Sequence, residues 1–327
     1  MIASDAQLDN DLVAQNCEKL RELFEEAVHR NLADAILLSG GLDTSVIAAV
    51  AIRYTKPKAI TVSLDNSPDA GYARLVANLF RLEHKIVAVD VKDAESAARD
   101  VVKIMRTFDP MEVRNDASIL IGLRAAKKEG AKTVLTGDAG DELFAGYSFL
   151  FEKGLDQLNQ RLQNMWRTMR FSSVPIAKSL GMEVKLPFLE EQFKEFAKSM
   201  SPELKVREEN GRLYGKWILR RAFQKSLPES ILWRSKMPIE QGSGSSKLQV
   251  HFASKISDAK FAAKSKEYLL CDGVRIYNKE HLAYYEFFKK EFGIPRGSGE
   301  GAKICRGCGS WLMDVMDYCR TCGACPA

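Results

Sequence analysis

The stretch that most restricts this chain is Ser39-Gly40-Gly41-Leu42-Asp43-Thr44-Ser45, which follows the apolar run Ala35-Ile36-Leu37-Leu38 and precedes Val46-Ile47-Ala48-Ala49-Val50. The pattern predicts a strand, a glycine turn and a helix. Adjacent glycines let backbone N–H groups turn inward, the Ser and Thr hydroxyls add donors, and the helix begins with its positive end at the same spot. Such a corner holds a phosphate. It has neither the Walker spacing nor the Gly-x-Gly-x-x-Gly dinucleotide spacing. Asp43 would repel a phosphate unless a divalent cation lay between them, so the loop predicts nucleotide phosphate together with magnesium.

The rest of the first half supports an α/β reading. Leu12, Val13, Cys17, Leu20, Leu23, Phe24 and Val28 recur at helical spacing and predict an amphipathic helix over 7–30, with Cys17 as a small core residue. The β-branched runs at 59–64 and 85–91, the helical segments at 70–82 and 117–128, and the strand Thr133-Val134-Leu135-Thr136 alternate as βαβ units do. The expected fold is therefore a doubly wound parallel sheet whose ligands sit at the carboxyl ends of the strands. At the end of the fourth strand stands Thr136-Gly137-Asp138-Ala139-Gly140-Asp141-Glu142-Leu143-Phe144-Ala145-Gly146-Tyr147. Carboxylates packed this closely need a shared cation, and neighbouring strand tips would let Asp141 meet Asp43. An acidic turn capping the next helix is the other reading of the same residues.

Together the two motifs resemble the ATP-pyrophosphatase loop and the acidic segment of the asparagine synthetase family, synthetase domain, which β-lactam synthetases share. The likeness continues in family order through Asn66-Ser67-Pro68-Asp69, Gly181-Met182-Glu183-Val184-Lys185-Leu186-Pro187-Phe188-Leu189-Glu190, Lys216-Trp217-Ile218-Leu219-Arg220-Arg221-Ala222-Phe223, Leu227-Pro228-Glu229-Ser230-Ile231-Leu232-Trp233-Arg234-Ser235-Lys236 and Gln241-Gly242-Ser243-Gly244. It implies an adenine nucleotide α-hydrolase-like fold and an ATP-dependent carbon–nitrogen ligase. A carboxylate, aspartate by default, would be adenylated and then receive ammonia, giving AMP and pyrophosphate. On that resemblance Ser39, Gly40, Gly41, Thr44 and Ser45 hold pyrophosphate with Thr136 and Gly137 beside them, and Asp43 and Asp141 hold Mg2+. Leu37, Val62 and Asp69 lie at the adenosine, where plain strand core is an equal reading of the two apolar residues. Asp138 stands beside the reacting carboxylate as proton acceptor, Lys236 neutralises developing charge, and Gly242–Gly244 closes as a lid.

Two departures bear on the acceptor. The family usually begins with a glutaminase domain, whereas this chain starts almost directly at the synthetase domain, so free ammonia, a separate amidotransferase subunit or another nucleophile is expected. Asp138-Ala139-Gly140 stands where the family has an acid, Gly and a small residue, and Lys185 and Glu190 replace the usual Arg and Asp. These changes concern substrate rather than ATP chemistry. The basic run from Lys205 to Lys236, with Lys216, Arg220, Arg221 and Lys225 on one helix, reads mainly as a solvated face.

The expected organisation is a ligase domain over 1–291, comprising the helix 7–30, an α/β core at 31–150 and a mostly helical part at 151–291. A glycine-rich linker at 292–303 and a small ribbon at 304–327 follow. In the ribbon, Cys305-x-x-Cys308 and Cys319-x-x-Cys322 have the spacing of two knuckles closing a tetrahedral, structural zinc site. Disulfide pairing is the alternative, and Cys325 is a spare ligand or free thiol. So short a segment cannot build its own core, so metal would supply its folding energy. Such ribbons dock protein or RNA, and with the basic run this leaves a second functional reading, a superfamily member that adenylates a tRNA base for sulfur or nitrogen transfer. No apolar stretch approaches the roughly 20 residues of a membrane span and no signal peptide is evident, so a cytoplasmic protein without membrane contact is expected. The net charge of +5 does not by itself argue for nucleic acid.

Overall fold

A computed structural model of the chain describes residues 5–65, 67–152, 154–297, 303–312 and 318–326, with side chains described from residue 10. Asn66 of the quoted motif, residues 298–302 of the expected linker and residues 313–317 of the ribbon lie outside this set.

The first half runs α1 (Asp5–Arg30), β1 (Ala35–Leu37), α2 (Leu42–Ala51), β2 (Lys58–Leu64), α3 (Asp69–Phe80), β3 (His84–Val89), α4 (Val91–Met105), α5 (Pro110–Lys128), β4 (Thr133–Leu135) and the single turn α6 (Gly140–Leu143). Next come α7 (Leu158–Thr168), α8 (Ser173–Ser179), β5 (Glu183–Lys185), α9 (Glu191–Ser199) and α10 (Pro202–Lys205). A hairpin β6 (Arg207–Glu209)–β7 (Arg212–Tyr214) leads to α11 (Trp217–Ala222), α12 (Glu229–Leu232), α13 (Ile239–Gly242), α14 (Lys247–Lys255), α15 (Asp258–Cys271) and α16 (Lys279–Phe292). Two short strands, β8 (Lys303–Ile304) and β9 (Trp311–Leu312), belong to the ribbon.

The five main strands form one parallel sheet in the order β3-β2-β1-β4-β5. Its last strand comes from the segment expected to be mostly helical, where Glu183-Val184-Lys185 pairs with Thr133-Val134-Leu135. The two-residue period of a strand explains the layering. Ile36 and Leu38 join a core with Leu20 and Phe24 of α1 and Val46 and Ile47 of α2, whereas Ala35 and Leu37 face a second core built by α4, α5 and α16. Each face of the sheet is thus covered by helices, which accounts for its near-continuous apolar strands.

One boundary, one helix and the placement of the ribbon differ from the sequence reading. Helix α5 begins at Pro110 rather than near 117, because Asp109 caps Met111 N–H and proline is already shaped for the first turn. Helix α4 was not marked by the strand-and-helix count, although Asp90 and Asp93 close a reciprocal capping box at its start. The ribbon does not hang free: Cys305, Cys308, Cys319 and Cys322 are buried in the same core as Phe108 and Tyr285.

Candidate active site at the β1–β4 crevice

Strand order reverses between β1 and β4, since β2 and β3 lie to one side and β5 to the other. A crevice opens at the carboxyl ends of such a pair, and both motif loops leave from there. Gly40 takes φ +69° and packs so tightly that a Cβ would lie 2.4 Å from Ala73 N. Only glycine fits that corner. Gly41 then caps α2, Ser39 Oγ accepts from Gly41 N–H at 3.2 Å and lies 3.2 Å from Thr44 Oγ1, and buried Ser45 Oγ has no partner. The loop therefore presents unspent hydroxyl donors at the positive end of a ten-residue helix.

Glycines also bring the second loop onto the first. A Cβ at Gly137 would meet Asp43 Cβ and Thr44 Cγ2 at 3.1 Å, and one at Gly140 would lie 2.6 Å from Asp43 Cγ. Asp43 and Asp141 are bridged by one ammonium, Lys216 Nζ, 2.5 Å from Asp43 Oδ2 and 2.7 Å from Asp141 Oδ1. The latter contact is an ion pair without hydrogen-bond alignment, since Asp141 Oδ1, like Asp43 Oδ1, finds no hydrogen-bond donor. Lys236 Nζ bonds the other oxygen of Asp141. Burial pushes Asp141 up, but Lys216 and Lys236 outweigh it and hold the carboxyl well below the ordinary range. Asp43 is raised by burial, with Lys216 opposing.

The solvated-face reading fails for Lys216, only 4% exposed, and for Arg220, 6% exposed. Lys216 starts α11 in the left-handed region, φ +56°, with its N–H on Phe144 O at 2.7 Å. Such a conformation is costly for lysine and is held where surrounding packing imposes it. Gly146 leaves room for the lysine side chain, since a Cβ there would lie 2.4 Å from Lys216 Cε. Arg220 turns inward to Gly215 O and Leu232 O, bracing the chain around Lys216. The sequence carried a signal for both: Gly215 before Lys216 and the apolar Trp217-Ile218-Leu219 after it mark a buried helix start.

Asp138 lies on the same crevice. Its Oδ2 accepts from Thr136 Oγ1 at 2.9 Å and from Ser173 Oγ, and burial raises its carboxyl against those two bonds. Next to it Asp116 of α5 accepts from Ser172 Oγ at 2.5 Å and is 2% exposed, its other oxygen unpartnered. Burial raises Asp116 well above the carboxylate range and Glu112 to about 7, despite Ser172 at the first and Arg320 at the second. The sequence reading assigned nothing to Asp116, Glu112, Ser172 or Ser173, because their convergence depends on α8 packing against α5.

Asp69 is engaged by Arg234, whose guanidinium donates to Oδ1 at 2.6 Å and stacks 3.8 Å from the Tyr72 ring centroid. Leu37 and Val62 flank Gly122 of α5, where an added Cβ would stand 3.0 and 3.4 Å from them. The Gly242–Gly244 stretch lies folded down: Leu64 N–H donates to Ser243 O at 2.9 Å, Ser118 and Ser243 hydroxyls meet at 2.8 Å, and Gly242 packs on Asp69.

In the ribbon the four sulfurs lie within 4.8 Å of one another, with Cys305–Cys322 and Cys308–Cys319 each at 3.7 Å. A disulfide needs about 2.05 Å. Four thiolates about 2.3 Å from a tetrahedral ion would stand about 3.8 Å apart, so the set fits zinc. Cys325 is exposed and outside the cluster. Among the described residues no helix is long and apolar enough to cross a membrane.

Comparison with known proteins agrees with this geometry. Residues 19–179 and 162–292 match the asparagine synthase family. An asparagine synthetase [glutamine-hydrolyzing] of Sandersonia aurantiaca is 32% identical over 268 residues, 73% of this chain and 51% of the relative. Asparagine synthetase B [glutamine-hydrolyzing] of Escherichia coli K12 is 28% identical over 322 residues, 88% and 56% respectively. The chain thus spans about half the length of the curated relatives it matches. Among solved structures, NMN synthetase from Francisella tularensis aligns over 88% of this chain and 98% of its own at 12% identity, with a TM-score of 0.38.

Proposed function

Because this chain belongs to the asparagine synthase family, we propose that it is an ATP-dependent, AMP-forming amide ligase, with aspartate as default acceptor and ammonia as nitrogen donor. The observation that carries this reading is the meeting of Asp43 and Asp141 around buried Lys216, above the glycine loop at the sheet's switch point.

In the reaction a carboxylate oxygen of the acceptor attacks the α-phosphorus, and pyrophosphate leaves with the bonding pair. Ammonia then attacks the acyl carbon of the adenylate, AMP departs, and the surplus proton passes to a base. Loop N–H groups and the hydroxyls of Ser39, Thr44 and Ser45 would grip the leaving pyrophosphate, whose growing charge Lys236 and Lys216 would stabilise. Asp138, with a pKa raised by burial, suits the proton acceptor. Asp43 and Asp141 would hold Mg2+, which when bound supplies Lewis-acid neutralisation of phosphate charge. The unpartnered Oδ1 of Asp43 fits that need. The thiolate cluster would take zinc in a structural role, without an open position for chemistry.

The tRNA-modification alternative is the less favoured reading, since two of its basic residues, Lys216 and Arg220, point inward and the ribbon cysteines are buried against the body. The test is AMP and pyrophosphate release from ATP and Mg2+ across a panel of amino acids with ammonia, and then with bulk tRNA. Stimulation by aspartate, abolished in Asp43→Asn, is expected; ADP as product, or stimulation by tRNA alone, overturns the reading.

A further inference from the structure

The ribbon's second knuckle touches two segments, the entry to α5 and the end of α7, that lead to the Asp138 side of the crevice. Arg320, between Cys319 and Cys322, faces both ways. Its carbonyl accepts from Thr107 Oγ1 at 2.6 Å, and its guanidinium donates to Thr168 O at the end of α7. Alongside it, Phe108 N–H donates to Thr321 O at 2.8 Å, Tyr318 Oη donates to Asp109 Oδ2, and Gly323 lies so close that a Cβ would come within 2.6 Å of Asp109 Oδ1. Asp109 is the N-cap of α5. The entry to α5 and the α7–α8 connection are thus tied to one short loop.

Those two segments carry the groups around Asp138. Two turns into α5, Asp116 accepts from Ser172 of the α7–α8 connection at 2.5 Å, and adjacent Ser173 bonds Asp138 Oδ2. Buried carboxyls that lack cationic partners hold position only while their hydroxyl donors stay in place, because each lost bond leaves an unsatisfied buried oxygen. Among the described residues no hydrogen bond or ion pair links the ribbon to the nucleotide side: the side-chain hydrogen bonds and ion pairs of Ser39, Asp43, Thr44 and Asp141 are with one another, Gly41, Lys216 and Lys236.

We infer that the four-cysteine knuckle pair is a clamp on the acceptor half of the active site, with Arg320 as its positioning residue: it fixes Ser172 and Ser173 against α5 and so sets Asp116 and Asp138. The clamp is built from this chain's own contacts, and only the name "acceptor half" rests on the amide-ligase reading. A fold of about 20 residues without a core of its own has its shape from the metal. Metal content is therefore coupled to the geometry around Asp138, 35 residues from Ser173 in the chain.

The full-length protein tests this with Arg320→Ala, which removes the Thr168 tie and leaves all thiols, and with Tyr318→Phe, which removes the Asp109 tie. Three readouts are taken: metal per chain, nucleotide Kd, and amide hydrogen exchange with and without chelator. Arg320→Ala should keep its metal and bind nucleotide within about twofold of the parent, while exchange quickens at 111–116 and 172–175 and not at 42–46. Where turnover is measurable, the acceptor KM should rise about tenfold, the loss expected for one charge-assisted bond, with the nucleotide KM unchanged. Unchanged exchange at 111–116 and 172–175 in both variants and in the chelated parent overturns the clamp. So does an equal rise in both KM values. If the parent forms AMP with no acceptor, the ligase reading falls and the exchange data still decide the clamp.

Discussion

Replacing Lys216 by methionine should enlarge the stability that the site loses as pH rises. In the parent, one ammonium lies 2.5 and 2.7 Å from two buried carboxylates. At an effective dielectric of about 20 each contact is worth roughly 6 kcal/mol before desolvation, against at least roughly 3 kcal/mol of repulsion between carboxylate oxygens that share one nitrogen and so lie no more than about 5 Å apart. Desolvation of all three groups cancels much of this, and removing one partner from a buried ionic cluster costs about 3–5 kcal/mol. That is a large share of the roughly 5–15 kcal/mol that holds a domain folded. The pH dependence follows from which carboxyl is shifted. In the parent, Asp141 is depressed, so its contribution is complete above the unfolded value near 4 and is lost as pH falls through the folded one, while Asp43 is raised by burial against Lys216 and already loses stability as pH rises. In Lys216→Met the paired carboxylates keep Lys236 alone, so one of them takes a proton. Its folded pKa then lies above the unfolded one, and its stability is lost as pH rises. Denaturant unfolding at steps from pH 5 to 8.5 should show a deficit of about 3–5 kcal/mol at the top of the range, shrinking by up to about 1.4 kcal/mol per unit toward pH 5. A deficit that is constant with pH, or below 1 kcal/mol at pH 8, would refute the bridging role of Lys216.

Gly140→Ala drives a Cβ to within 2.6 Å of Asp43 Cγ, so AMP formation should fall at least about tenfold while far-UV circular dichroism is unchanged; parent-level activity would show that Asp43 tolerates displacement. Glu112 is pushed up to about 7 by burial, so the folded state keeps a proton that the unfolded chain releases near 4.5. Glu112→Gln should match the parent below pH 4.5 and exceed it above pH 7 by up to about 3 kcal/mol in denaturant titrations; equal stability at pH 8 would show that Arg170 and Arg320 already compensate the charge. Lys205 is 1% exposed, lies 4.6 Å over the Trp166 ring and is pushed down to about 7 by burial. Its folded pKa is depressed, so the penalty is full below pH 7 and fades toward pH 10; Lys205→Met should gain about 2–4 kcal/mol at pH 6, and a loss there would mean the cation–π contact dominates.

How much of this was legible in the sequence depends on the range of the interaction. The glycine loop, the strand alternation and the cysteine spacing are local signals, and each is realised: Gly40 needs its positive φ, Ala35 and Ile36 face opposite cores, and four sulfurs converge. Lys216 was misread because charge on a helix usually means solvent, and only the approach of Gly146 and Phe144 O shows that this one is enclosed. Asp116 and Ser172 lie 56 residues apart and meet because α8 packs on α5, which no period of 2 or 3.6 encodes. The ribbon's placement was hidden for the same reason, since Thr107 and Arg320 are 213 residues apart. Read with the geometry, these contacts divide the crevice. The groups proposed for the nucleotide lie in two contiguous loops that a pattern can find, whereas Ser173 and Asp116 near Asp138 come from α8 and α5, whose leading segments the ribbon touches at Thr168 and Thr107. On the proposed ligase reading, acceptor recognition would therefore depend on tertiary packing, and substitutions around Asp138 would change the acceptor without altering either loop assigned to ATP.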